Sequence, residues 1–210
     1  MAIFAGESVE ISSPQGFLNA EVFFLWAPLM LIIFSAGYGS GAIAGEEGNR
    51  TLDLLVSTPV SRWGVVLQKF FALCFCVLAL AFVLWIALTI AAMLVEMEIG
   101  VTNLGMTVLS AAILALMFGT LALTVGIATG NRGMSVAVTS VMAIATYLHN
   151  AFAPMVGLLD FFRWMSPHYY YIGADPLTNG LNVGHAVVLM GLTVGMLIVA
   201  LVIFERRDLG

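Results

Sequence analysis

Charge is what this 210-residue chain has least of. It carries 7 Lys+Arg and 12 Asp+Glu, 9% of its residues, and Lys69 is its one lysine. Soluble domains average roughly 25% charged residues, so a soluble globular fold is excluded on composition. The intervals 22–45, 70–95, 99–131, 133–159 and 176–204 hold no Asp, Glu, Lys or Arg. Each exceeds the roughly 20 residues that cross a bilayer core as a helix. With 61% of residues hydrophobic, the pattern predicts an all-α polytopic membrane bundle whose surroundings are the lipid bilayer. Residues 1–210 form one domain, with spans at about 22–45, 67–94, 104–129, 134–158 and 184–204 after an acidic stretch at 1–21. The formal charge of −5 sits in short loops and implies no nucleic-acid partner.

Other scarcities narrow the chemistry. The two cysteines, Cys74 and Cys76, lie two apart on one apolar helix and point roughly 200° apart, so they do not pair with each other. No G-x-x-x-x-G-K-[ST] phosphate loop is present, and Lys69, preceded by Leu67-Gln68, cannot supply one. The chain therefore does not hydrolyse ATP by that route. His149, His168 and His185 have no spacing that puts two metal ligands on one helix face, so neither a metal nor a cofactor is expected, and His149-Asn150 is expected to face the bundle interior. No acid or base lies near the middle of a span, where proton- or sodium-driven carriers bind their coupling ion. Transport would then need an external energy source.

The few cations orient the bundle. With the N-terminus outside, five spans place Arg50, Arg62, Lys69, Arg132, Arg206 and Arg207 in the cytoplasm and only Arg163 outside, as the cytoplasmic excess of Lys and Arg demands. Residues 1–20 carry no cation and do not read as a signal peptide. Asn49-Arg50-Thr51 matches a glycosylation sequon but falls on the cytoplasmic side. Trp26 and Trp164 suit the outer aromatic belt and Trp63 the inner one, while Trp85 is expected mid-span against another helix.

Two stretches between spans are longer than a turn requires, 45–69 inside and 159–183 outside. The span leading into the first has glycine every four residues, Gly37, Gly41 and Gly45, a stripe that lets another helix approach closely. Gly37-Tyr38-Gly39 resembles a potassium-channel filter tripeptide, but it lies in an unbroken apolar span. Beyond Glu46-Glu47, residues 48–62 read GNRTLDLLVSTPVSR. Leu52, Leu55 and Val56 share one face of a short helix, with Asn49, Arg50 and Asp53 elsewhere. Thr58-Pro59 then predicts a cap and first turn for a helix running to Leu94. Arg62 would sit in its first turn, where the helix dipole disfavours a cation, so an anionic group is expected to face it.

The order of small-residue span, paired glutamates and GNRTLDLLVSTPVSRWGVVLQKFFA is similar to the membrane subunit of type-2 ABC transporters. Gly130-Asn131-Arg132-Gly133, Ser166-Pro167, Asp175-Pro176-Leu177 and the terminal FERRDLG also match, so the resemblance covers about residues 20–210. It implies a permease of the cell membrane, an exporter, working with a separate ABC ATPase subunit and a second permease subunit as homo- or heterodimer. It further implies that the first cytoplasmic segment docks on the ATPase, with Glu46, Glu47, Arg50, Leu52, Asp53, Leu54 and Arg62 as coupling residues, and that the stretch before the last span folds back as short re-entrant helices. The family pattern has six spans and this chain shows five, starting at the family's first outer loop.

The outer stretch is too apolar for a free loop. Phe161, Phe162, Trp164 and Tyr170, with Met165, Tyr169 and Tyr171, are divided by Pro167 and Pro176 into short pieces. The set Phe161, Phe162, Trp164, Pro167 and Tyr170 is expected to form an outer gate. An ion- or potential-driven carrier or channel, and a membrane scaffold that transports nothing, are the competing readings.

Overall fold

The computed structural model describes residues 18–48, 61–97 and 99–207. Helix α1 spans Ala27–Ala42, entered through a π-helical turn at Leu18–Trp26, and α2 spans Ala44–Gly48. Then come α3 (Arg62–Leu94), α4 (Val101–Thr129) and α5 (Arg132–Phe152). A stretch of short pieces follows, α6 (Gly157–Phe161), α7 (Pro167–Ile172) and α8 (Pro176–Asn179), before α9 (Val183–Arg206). Five segments are long and apolar enough to cross a membrane: Glu21–Ala42, Arg62–Leu94, Val101–Thr129, Arg132–Met155 and Val183–Arg206. The chain is a multi-pass all-α membrane protein. Its antiparallel order gathers Arg62, Lys69, Arg132, Arg206 and Arg207 at one end, called here the basic end, and the short pieces α6 to α8 at the other.

Helix α4 is the axis of the bundle. It packs against α1, α3, α5 and α9, and it can do so because it has no charge and is built largely of small residues. Ala111, Ala112, Ala115, Gly119, Ala122 and Gly126 are all buried, and a helix apolar all round is one that partners cover on every side. Several of its hydroxyls are satisfied within the helix, Thr107 donating to Asn103 O and Thr120 to Leu116 O, as a low-dielectric interior requires. Helix α3 is the opposite case. Its 33 residues reach about 50 Å, well beyond the roughly 30 Å hydrocarbon core, and it exposes Phe71, Phe75 and Phe82.

Three expectations are corrected. First, the close helix approach is not made by Gly37, Gly41 and Gly45. A Cβ on Gly37 or Gly45 would meet nothing within 4 Å, and one on Gly41 would meet only the Arg132 guanidinium at 3.6 Å. The contact is at Gly39, where a Cβ would lie 2.2 Å from Gly119 O, and at Ser35, whose Oγ donates to Ala115 O at 2.7 Å. Ser35 and Gly39 are four apart and share a face, whereas Gly37 and Gly41 are two residues from Gly39, about 200° around the helix. The tripeptide Gly37-Tyr38-Gly39 is continuous α-helix within α1, not a filter loop.

Second, α3 starts at Arg62 with Ser61 as its cap, Ser61 Oγ accepting from Gly64 N at 3.1 Å, rather than at Pro59. Third, Trp85 packs against another helix as expected, beside Gly105 of α4, but not at the middle of its own. It lies nine residues from the end of α3, and its indole Nε1 donates to Val101 O at the start of α4.

The α1–α4 crossing carries a direct test. Gly39→Leu must push two backbones apart, an overpacking cost of roughly 1–3 kcal/mol or more, whereas Gly37→Leu faces open space. Thermal unfolding in mild detergent is expected to show a clear loss for the first and little change for the second. Equal effects would contradict the assigned crossing.

The link between α4 and α5 is as short as the sequence suggests. Gly130 ends α4 in the left-handed region (φ 64°), which glycine enters without steric penalty. Asn131 Oδ1 then accepts from Met134 N at 3.0 Å and caps α5. Ser135 Oγ donates to Ala122 O, fastening the new helix to the old.

Candidate functional site

At the basic end, helix termini meet side chains that complete their hydrogen bonding. The last four carbonyls of a helix lack intrahelical donors and form the negative end of its dipole. Arg62, at the first position of α3, sends its Nη1 to Phe204 O (3.3 Å), Glu205 O (3.4 Å) and Arg207 O (2.6 Å), at the end of α9. Beside it, Trp63 Nε1 donates to the Glu205 carboxylate at 2.9 Å. Arg207 in turn donates to Ile127 O at 2.9 Å in the last turn of α4. The Arg62 guanidinium thus meets the negative end of a helix dipole within the chain itself.

Glu46 pairs with Lys69, tying α2 to α3. Glu47 lies in α2. Arg50, Leu52, Asp53 and Leu54, with Leu55 and Val56, lie outside the described residues, as do Thr58 and Pro59. Of the residues that flank that segment, α2 is tied to α3 through Glu46–Lys69, and the foot of α3, capped by Ser61, is joined to the end of α9 through Arg62.

The opposite end is a wedge of short helices. Pro167 and Pro176 occupy the first turns of α7 and α8, where a missing amide donor is harmless. The expected gate residues divide. Phe161 (72% exposed), Phe162 and Trp164 (58%) point outward, and Pro167 and Tyr170 are half-buried. The inserted part is Ser166–Leu177, with His168 4% and Tyr171 2% exposed. Tyr171 OH donates to Phe23 O at 2.7 Å, and its carbonyl accepts from Ser110 Oγ at 2.9 Å. Ser166 Oγ donates to Thr146 O at 2.8 Å, and Thr146 Oγ1 lies 3.3 Å from His168 Nδ1.

One short segment is thereby joined to α1's entry turn, α4 and α5. Burial among Phe118 and Tyr147 pushes His168 down to about 4, so it is neutral at physiological pH. Burial likewise raises the Tyr171 phenol well above its ordinary value. The sequence shows His168 only as one of three histidines and Tyr171 only as part of an apolar stretch, not the two as a buried pair. The signal available was spacing: in a helix started by Pro167, His168 and Tyr171 are three apart and share a face, leaving Tyr169 and Tyr170 to the other side. There both rings contact His185 of α9 at 5.3 Å.

Of the remaining expectations, Asn150 is buried, with Arg163 Nε 3.4 Å from its Oδ1, while His149 is only half-buried. Arg163 also stacks over Tyr169 at 5.5 Å. Among the described residues no three His, Cys, Asp or Glu side chains come together. An apolar cleft of about 70 Å³ lies between α1 and α5, lined by Pro28, Leu29, Ile32, Ala143 and Tyr147 and closed by His168. Such a surface suits apolar groups and offers few polar contacts.

Comparison with known proteins agrees with this architecture. No curated protein and no solved structure matches the chain significantly. The family model described as ABC-2 family transporter protein matches residues 2–209. A match along almost the whole chain, on a bundle of five membrane-crossing helices, places this protein in the ABC-2 family of transporters, as a membrane-embedded permease component.

Proposed function

We infer that this chain is the permease of an ATP-driven exporter, with its basic end in the cytoplasm and the α6–α8 wedge outside. A separate ABC ATPase subunit drives it by docking on residues 46–60, and a second permease subunit completes the pathway. The observation that supports this reading is that the residues flanking 49–60 are held on both sides, α2 to α3 through Glu46–Lys69 and the foot of α3 to the end of α9 through Arg62. A segment held at both flanks can pass a push to the bundle, whereas a free loop would absorb it. The orientation is supported by the described cations, five at the basic end against Arg163 at the other.

Labelling of single cysteines by an impermeant reagent, with Cys74 and Cys76 replaced by alanine, tests the orientation on which ATPase docking depends. Thr102→Cys is expected to react from outside intact cells and Asp208→Cys only after permeabilisation. The reverse pattern would place the basic end where no ATPase can reach it.

A further inference from the structure

We propose that Arg62 and Trp63 are positioning residues of the transport cycle: they latch the foot of α3 to the end of α9, so that displacement of residues 46–60 is delivered to α9 and, through Arg207, to α4. The inference rests on reading that segment as the ATPase contact. It adds the route by which the push leaves it.

The route is continuous in hydrogen bonds and ring contacts. Arg62 reaches three carbonyls at the end of α9, and Trp63 adds the Glu205 carboxylate. A charged donor shared among helix-terminal carbonyls is a strong contact, and it sits one residue past the Ser61 cap, where motion of the preceding segment must arrive. From the same point Arg207 grips Ile127 O of α4, and midway along the bundle Thr124 Oγ1 of α4 lies 3.2 Å from Met196 O of α9. The two helices are thus fastened to each other as well as to the latch.

Both then end on the same target. The His185 ring of α9 contacts Tyr169 and Tyr170 of α7, and Ser110 of α4 holds the Tyr171 carbonyl of that helix. Helix α9 has 24 residues and no proline, so it spans about 36 Å as one rod. A shift entering at Arg62 therefore reaches α7 along two helices, without passing through α3's lipid-facing length. A cap that merely completed the end of α9 would need neither the second grip on α4 nor the convergence on α7.

The test uses the full chain assembled with its ATPase subunit in lipid nanodiscs, comparing amide hydrogen exchange in nucleotide-free and vanadate-trapped states. In the native protein, exchange in both 46–60 and 160–183 is expected to change on trapping, by at least about fivefold, the lower bound of usual coupling between distant sites. Arg62→Ala should keep the response at 46–60 and lose it at 160–183, and Arg62→Lys should restore part of it. Trp63→Phe combined with Glu205→Gln, which leaves the Arg62 contacts in place, should reduce the far response. It serves as the second variant should Arg62→Ala not fold. A response at 160–183 undiminished in these variants would overturn the latch. If 46–60 fails to respond even in the native complex, the reading of that segment as the ATPase contact fails instead.

Discussion

Asp53→Arg is expected to leave the chain inserted and folded but to release its ATPase subunit and abolish the stimulation of ATP hydrolysis. Asp53 lies seven residues after Glu46 and nine before Arg62 in the sequence, between one residue that ties α2 to α3 and another that ties α3 to the end of α9. Reversing one member of a charge pair at a protein interface weakens binding by about 2–5 kcal/mol, at least about thirtyfold. Arg50→Glu with Glu47→Arg should act in the same way. Thr102→Arg, at the opposite end, should leave association unchanged. Because the contacts are between charges near water, the native complex should also loosen as salt is raised. Retention of the ATPase and of full stimulation by the Asp53→Arg protein would show that the segment does not couple.

The second large effect concerns acid. His168 is buried and neutral, held down to about 4 by its surroundings, against about 6.5 for an unfolded histidine. Its neighbours are Phe118 from α4 and Thr146 and Tyr147 from α5, so no ion pair offsets the charge once it forms. As pH falls below about 6.5 the unfolded or unseated chain takes up the proton first. Stability of the wedge is therefore full above that pH and is lost progressively toward pH 4, by up to about 3 kcal/mol. Thermal unfolding in detergent between pH 7.5 and 4.5 should show His168→Phe losing less stability on acidification than the native protein. Parallel pH profiles for the two would mean that His168 is not held neutral in the wedge.

How far these sites are legible in the sequence depends on the range of the interaction that makes them. The charge-free interval 99–131 was enough to show a span, and its density of Ala, Gly and Thr is why α4 sits at the centre. Local signals compete where two are equally good. Thr58-Pro59 reads as the start of the long helix, yet Ser61, three residues on, is extended and caps Gly64, so α3 begins at Arg62. Small residues likewise fall on two faces of α1, Ser35-Gly39 and Gly37-Gly41, and periodicity does not say which face meets α4.

The partner of Arg62 lies 142 residues or more away, beyond any local pattern. What could be read was the physical need, a cation at the positive end of a helix requiring something negative. The wedge was legible in outline, since apolar residues divided by prolines must fold back. The aromatic residues drew attention away from the buried His168–Tyr171 pair, which does the fastening.

The central claim, that this permease is driven from its basic end by a separate ATPase, is tested most directly by affinity purification of the full chain from native membranes in mild detergent, with mass spectrometry and an ATPase assay on the eluate. The account expects an ABC ATPase subunit in near-stoichiometric amount, with hydrolysis that depends on it, and loss of that subunit from the Asp53→Arg chain purified in parallel. A native chain that elutes without any ATPase would contradict it.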